Sequence, residues 1–209
     1  MLNLLIQSPL VFLLVGLIMV VSIAVHEFSH ALAADRLGDP TPRAQGRLTL
    51  NPLSHLDPLG MVLLLTIGFG WGKPVQYDPY NLTNHKRDSA LIALAGPVSS
   101  ILLACLAALG VYLLQGNSAS IILEYVVGLN VMLAVFNLLP IHPLDGFRVV
   151  AGLVPDDSYE DWIALERYGV IFLLFLFIPI QGTSLLSLII RPVIGFITSL
   201  LIPNQGMLI

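Results

Sequence analysis

The chain has 209 residues, of which 56% are hydrophobic and only 11% charged, with a formal net charge of −4. Soluble domains carry about 25% charged residues, so this composition excludes a soluble globular protein and a disordered one. No basic run points to nucleic acid, and the single cysteine, Cys105, excludes an internal disulfide framework and a thiolate metal cluster. The composition predicts a multi-spanning membrane protein.

Five apolar stretches are long enough to cross a bilayer as helices, since about 20 apolar residues span about 30 Å of hydrocarbon. They are residues 9–34, 88–115, 119–139, 160–180 and 185–202. A further run, residues 59–70, is shorter and flanked by Gly and Pro, which favours a re-entrant segment. The predicted fold is an all-α polytopic membrane protein with about five transmembrane helices and one re-entrant segment.

Basic residues set the predicted orientation. Six of the nine lie between the first span and residue 88, on both sides of the re-entrant run: Arg36, Arg43, Arg47, Lys73, Lys86 and Arg87. Basic loops favour the cytoplasmic side. The short turns at 116–118 and 181–184 carry no basic residue and are predicted to face outward. The N-terminus is therefore predicted outside and the polar loops in the cytoplasm.

The first span ends in the sequence His-Glu-Phe-Ser-His, residues 26–30. On a helix, His26 and His30 lie on one face and can hold one metal ion. Glu27 is rotated by about 100°. It can reach a water molecule at the ion without being a ligand, as a general base does in zinc proteases. The helix continues for a few apolar residues only, so the site is predicted roughly 6–12 Å below the cytoplasmic helix end.

Two short segments of the cytoplasmic loop are predicted to be strands. Residues 46–51, which include Leu48, Thr49 and Leu50, alternate polar and apolar side chains as a half-buried strand does. Residues 72–77 offer a second strand, in which Pro74 suits an edge. The hypothesis is a small sheet whose free edge pairs with unwound substrate. An ordinary loop is an equally good interpretation.

The third long span ends at two prolines and a glycine, in residues 137–146. Pro140 and Pro143 break the helix there and free backbone groups that must face protein or water. A catalytic zinc site usually has three protein ligands, and Asp145 is the strongest candidate for the third. His142 is an alternative or additional ligand, although a position next to a ligand residue or at the surface is favoured for it. His55 and Asp57 favour a structural role over a second metal site.

These motifs resemble the site-2 protease family of intramembrane zinc metalloproteases, in the short form without a PDZ domain. The resemblance rests on residues 26–30, on Ala-Gly-Pro at 95–97, and on Asn-Leu-Leu-Pro and Leu-Asp-Gly within residues 137–146. Residues 46–60 and 70–75 are also similar, so the likeness covers roughly residues 9–155. It implies one Zn²⁺ per chain and single-span membrane proteins as substrates.

The resemblance also implies residue roles. It implies zinc ligands at His26, His30 and Asp145, and water activation by Glu27. Two other positions depart from the family pattern. The family often has Asn where this chain has Ser100, and Pro where this chain has His142. Ser100 is a shorter donor for holding substrate or an oxyanion, and His142 adds a titratable group close to the metal.

The function predicted is therefore zinc-dependent hydrolysis of peptide bonds within or near transmembrane segments. It is assigned to one membrane-embedded domain, residues 1–209, with a core at 9–155 and a C-terminal helical hairpin at 160–202. Asn137 is a candidate oxyanion donor. A membrane metal transporter and an inactive scaffold remain alternatives, although a transporter would be expected to carry more intramembrane acids. The substrate sequence and the oligomeric state are left open.

Overall fold

The computed structural model describes residues 2–67, 70–115, 117–180 and 182–203. Gly68 and Phe69 of the predicted re-entrant run lie outside the described residues, as do Gly116 and Gln181 of the two predicted outer turns. The described α-helices are α1 (Leu2–Gln7), α2 (Pro9–Arg36), α3 (Thr41–Ala44), α4 (Pro58–Ile67), α5 (His85–Leu113), α6 (Ser118–Asn137), α7 (Asp145–Leu153), α8 (Tyr159–Ala164), α9 (Glu166–Phe177) and α10 (Leu185–Leu201).

Among the described residues, three helices are long and apolar enough to cross a membrane. They are α2, α5 and α6, with 28, 29 and 20 residues, and they coincide with the first three predicted spans. Local sequence fixes where they begin. Pro9 occupies the first turn of α2, while the side chains of Asn84 and Asn117 accept backbone hydrogen bonds at the N-termini of α5 and α6. The prediction of a helical membrane protein is confirmed.

Small residues on α5 allow these helices to pack closely. Ala104 is fully buried, and it belongs to one apolar cluster with Val127 and Val131 of α6, which are also fully buried. Between helices in lipid, short side chains let the backbones approach and gain van der Waals contact. Asn130 of α6 adds a buried hydrogen bond to the Ser22 hydroxyl of α2 at 2.9 Å. The three helices form the frame on which the site is built.

The run that was predicted to be re-entrant begins with a short helix, α4. Helix α4 has 10 residues, about 15 Å at 1.5 Å per residue, which is half of a membrane crossing. A Cβ on Gly60 would lie 2.1 Å from the carbonyl oxygen of Trp71, and one on Gly70 would lie 2.1 Å from that of Gly60. Residues 70 and 71 therefore pass against the first turn of α4, and only glycine fits at these two crossings.

The predicted cytoplasmic sheet is wrong. Residues 46–51 form a turn and a bend, and residues 72–77 form a single antiparallel bridge, between Gly72 and Leu56. Side chains donate hydrogen bonds to backbone carbonyls that would otherwise pair with a neighbouring strand. The imidazole Nε2–H of His55 donates to the carbonyl of Thr49 at 2.7 Å, and the Arg47 guanidinium donates to the carbonyl of Ser54. The polar-apolar alternation of residues 46–51 reflects this buried arginine rather than a strand.

The C-terminal part differs from its prediction. The expected span at 160–180 is divided at Leu165 into α8 and α9. The expected span at 185–202 corresponds to α10, which has 17 residues. The turn between α9 and α10 contains a two-stranded antiparallel hairpin, Pro179–Ile180 with Thr183–Ser184. Gly182 has φ of +85°, a conformation that suits a tight hairpin turn.

Candidate metal centre

Three predicted ligands from two distant parts of the chain meet at one point. Nε2 of His26 lies 3.1 Å from Oδ2 of Asp145, and Nε2 of His30 lies 3.3 Å from the same oxygen. The ligand atoms of the three residues all lie within 4.8 Å of one another. The two imidazoles are buried, with 3% and 7% of their residues' surface exposed. One ion placed between these atoms can reach all of them.

The other ring nitrogen of each histidine makes a hydrogen bond with a residue of α5. Nδ1 of His30 lies 2.7 Å from the carbonyl oxygen of Ile92. Because a carbonyl can only accept, Nδ1 carries the proton and Nε2 presents its lone pair. Nδ1 of His26 lies 3.1 Å from the buried Ser100 hydroxyl. Such outer contacts fix the tautomer and orientation of metal-binding imidazoles.

Gly96 allows α5 to approach the two imidazoles. A Cβ at this position would lie 2.3 Å from Nε2 of His30 and 2.6 Å from Nε2 of His26. Any larger residue would fill the space between the ligand atoms. The sequence carried a signal for this, a glycine before a proline inside a long apolar stretch, but no role was predicted for it.

Asp145 enters the site from the first position of α7, after the loop of residues 138–144 that follows α6. Gly146 permits this tight entry, since a Cβ there would lie 2.2 Å from the carbonyl oxygen of Leu138. Oδ2 of Asp145 faces Nε2 of both imidazoles, and an aspartate binds a metal ion as the ionised carboxylate.

Glu27 faces a different neighbour from the two histidines. Its Oε2 accepts a hydrogen bond from the backbone N–H of Val75 at 3.2 Å. A Cβ on Gly72 would lie 3.4 Å from its Oε1, so residues 72–75 pass directly beside the carboxylate. The N–H of Lys73, in the same segment, donates to the carbonyl of His55 at 2.7 Å. The loop that was predicted to be a strand therefore positions the candidate base.

Of the remaining predicted site residues, Ser100 contacts a ligand residue, and the others have different partners. Ser100 sits behind His26, and the Asn137 amide donates to the Leu133 carbonyl of its own helix at 2.9 Å. Nδ1 of His142 lies 3.5 Å from the carboxylate of Glu166, away from the three ligand atoms. Asp57 accepts from the N–H of Gly60 at the start of α4. The structure thus brings together His26, His30 and Asp145, with Ser100 against His26.

The donor set fits zinc. Two imidazole nitrogens and one carboxylate oxygen are the ligands of several catalytic zinc sites, which leave a fourth position for water or substrate. Both imidazoles offer Nε2 while Nδ1 is hydrogen-bonded, and the glycine at position 96 keeps the space between them open. Fold and site together define a helical membrane protein with a buried zinc centre.

Sequence comparisons give the family. A protein of Bacillus subtilis (strain 168) named "Putative zinc metalloprotease YwhC" is 36% identical over 178 residues, which are 80% of this chain and 81% of that protein. "Putative zinc metalloprotease Rip2" of Mycolicibacterium smegmatis is 32% identical over 80% of this chain and 68% of its own length. For Rip2 of Mycobacterium tuberculosis (strain ATCC 25618 / H37Rv) the identity is 30%, and the matched region is 64% of its length, less than two thirds.

No family model matches the chain, and no solved structure matches it significantly. The identity and coverage of the relatives are sufficient to assign the family. The chain belongs to the zinc metalloprotease family of YwhC and Rip2, and its His26, His30 and Asp145 form a cluster that could hold the Zn²⁺ of that family.

The position of Ser100 behind His26 predicts a specific defect. Ser100→Ala removes the oxygen that orients His26 and leaves its Nδ1–H without a partner in a buried place. We expect zinc affinity to fall by about 10- to 100-fold, the usual effect of losing such a contact. Competition with a chromophoric chelator measures this affinity. Ser99→Ala is the matched control, because the Ser99 hydroxyl donates to Gly96 within its own helix. Equal affinities for the two variants would contradict the orienting role.

Proposed function

We propose that the chain is an intramembrane endopeptidase of the site-2 protease type, which hydrolyses peptide bonds within or near transmembrane segments of single-span membrane proteins. One observation carries the proposal. The zinc ligands His26 and His30, with Glu27 between them, lie within α2, a helix long and apolar enough to cross a membrane. A protease whose metal lies in such a helix is suited to substrates that also lie in the bilayer.

The proposal includes a topology. We assign five spans, namely α2, α5, α6, the combined residues 159–177 of α8 and α9, and α10, with residues 58–71 re-entrant. The close passage of residues 70 and 71 against Gly60 supports entry and exit on the same side. The basic residues on both flanks of this segment support the cytoplasmic side. In this proposed topology the metal centre lies near the cytoplasmic face.

The chemistry divides between the metal and the chain. When bound, zinc supplies Lewis-acid activation of the scissile carbonyl and of a water molecule. Glu27 takes the proton of the attacking water and passes it to the leaving amine as the C–N bond breaks. The Val75 N–H holds Oε2 of Glu27, so Oε1 is the oxygen assigned to proton transfer. Asn137 keeps one amide hydrogen beyond its bond to Leu133, and its role as an oxyanion donor stays a prediction.

A reconstituted cleavage experiment tests this function. In liposomes, the purified chain is expected to cut a single-span model substrate inside or at the edge of its hydrophobic segment, as located by mass spectrometry. Removal of zinc with 1,10-phenanthroline should abolish cutting, and added Zn²⁺ should restore it, because the proposed hydrolysis depends on Lewis-acid activation by the metal. A substrate with the same segment interrupted by two arginines is the control. Cutting confined to soluble loops, or cutting that survives zinc removal, would overturn the proposal.

A further inference from the structure

The carboxylate of Glu166, on α9, contacts residues on both sides of Asp145. Oε1 of Glu166 lies 3.5 Å from Nδ1 of His142, and Oε2 accepts a hydrogen bond from Nη2 of Arg148 at 3.1 Å. His142 precedes Asp145 by three residues, and Arg148 follows it by three. Glu166 therefore bridges the two flanks of the third zinc ligand without touching it.

Further contacts attach the same segment to α8 and α9. A Cβ on Gly169 would lie 2.4 Å from the carbonyl oxygen of His142, so the backbone of α9 lies directly against the loop. The indole N–H of Trp162 donates to the carbonyl of Phe147 at 3.0 Å. The two rings also stack, with centroids 5.2 Å apart and planes at 22°. The Asp145 segment cannot turn without separating from α8 and α9.

Asp145 needs such outside support more than the histidines do. His26 and His30 project from the interior of a long helix, whose hydrogen bonds fix their spacing. Asp145 instead follows a loop with two prolines, where the helical hydrogen-bond ladder is interrupted. A ligand in that position depends on its surroundings for the placement that metal binding requires.

We infer that Glu166 is a positioning residue for the metal centre: by joining His142 to Arg148 it holds the Asp145 carboxylate within reach of His26 and His30. The C-terminal residues 159–177 thereby take part in zinc binding although they supply no ligand. The inference rests on the three-ligand zinc site, and it is tested by zinc binding alone, with no peptide substrate. Its failure would leave the proposed peptidase function untouched.

The first measurement compares two variants with the same chemical change. Glu166→Gln keeps the size of the side chain but removes the charge that pairs with Arg148 and faces Nδ1 of His142. We expect the dissociation constant for Zn²⁺, from chelator competition in detergent, to rise about threefold to tenfold, less than for a direct contact to a ligand because both partners are partly exposed. Glu160→Gln on exposed α8 is the control and should leave the constant unchanged. Arg148→Gln removes the other end of the pair and should repeat the effect of Glu166→Gln.

The second measurement separates positioning from general structural damage. In an Asp145→Asn background the third ligand is already lost, so Glu166→Gln should cause no further weakening of zinc binding. Equal weakening in both backgrounds would mean that Glu166 acts on the whole bundle, and the inference would be wrong. It would also be wrong if neither Glu166→Gln nor Arg148→Gln changed zinc affinity in the otherwise native chain.

Discussion

Glu27→Gln is expected to abolish peptide hydrolysis while zinc stays bound at one ion per chain. The amide has the same shape and can still accept the Val75 N–H, so the fold around it is preserved. It cannot take a proton from water, and loss of a positioned general base lowers rates by about 10²- to 10⁴-fold. The measurement is kcat/KM on the liposome substrate, together with metal analysis of the same preparation.

The same variant separates the competing functions. A metal transporter would keep most of its zinc flux, since Glu27 is not one of the three ligands that converge, and an inactive scaffold would show no change. Glu160→Gln, the same substitution on α8 outside the centre, controls for the loss of one negative charge. Hydrolysis by Glu27→Gln at the native rate would show that Glu27 is not the base.

The part of the centre that sequence could predict is the part fixed by local geometry. His26 and His30 are four residues apart, and any helix puts them on one face. Asp145 was predicted from a different argument, a carboxylate at a broken helix end at the right depth. The structure brings it to the two imidazoles across 119 residues of chain. Few acidic residues lie at the predicted depth of the histidines, so there were few candidates for the third ligand.

What could not be predicted depends on packing between segments. Ser100 was a candidate for substrate contact, but the rotation of α5 about its axis turns its hydroxyl to His26. The Val75 N–H is a backbone group, so the identity of the residue does not indicate that it contacts Glu27. In residues 46–51 the alternation indicated a strand, yet Arg47 is buried and binds backbone carbonyls there. Tertiary contacts overrode the local preference.

The break between α8 and α9 was missed because the number of apolar residues indicates how long a span is. It does not indicate whether a single helix runs through the whole span. The expected span at 160–180 begins with four charged residues, Glu160, Asp161, Glu166 and Arg167. They were the available signal that the helix is interrupted here and that its first part, α8, lies against α7. The contact between Trp162 and Phe147 is the physical result.

Asp145→Asn should be the most damaging single change for metal binding. It keeps the shape of the side chain but replaces an anionic oxygen donor by a neutral amide, beside two imidazoles that are already buried. We expect zinc affinity to fall by about 100-fold or more, beyond the usual effect of an outer contact. Chelator competition gives the value. Asp57→Asn is the matched control, since its carboxylate accepts from Gly60 at the start of α4.

The most direct test of the metal centre is X-ray absorption at the zinc edge on the purified chain and on Asp145→Asn. The native spectrum should show two imidazole nitrogens at about 2.0–2.1 Å and a carboxylate oxygen at about 2.0–2.2 Å. The variant should lose the carboxylate contribution and keep the imidazoles. A native spectrum without two imidazoles, or one that Asp145→Asn leaves unchanged, would contradict a zinc ion shared by α2 and the start of α7.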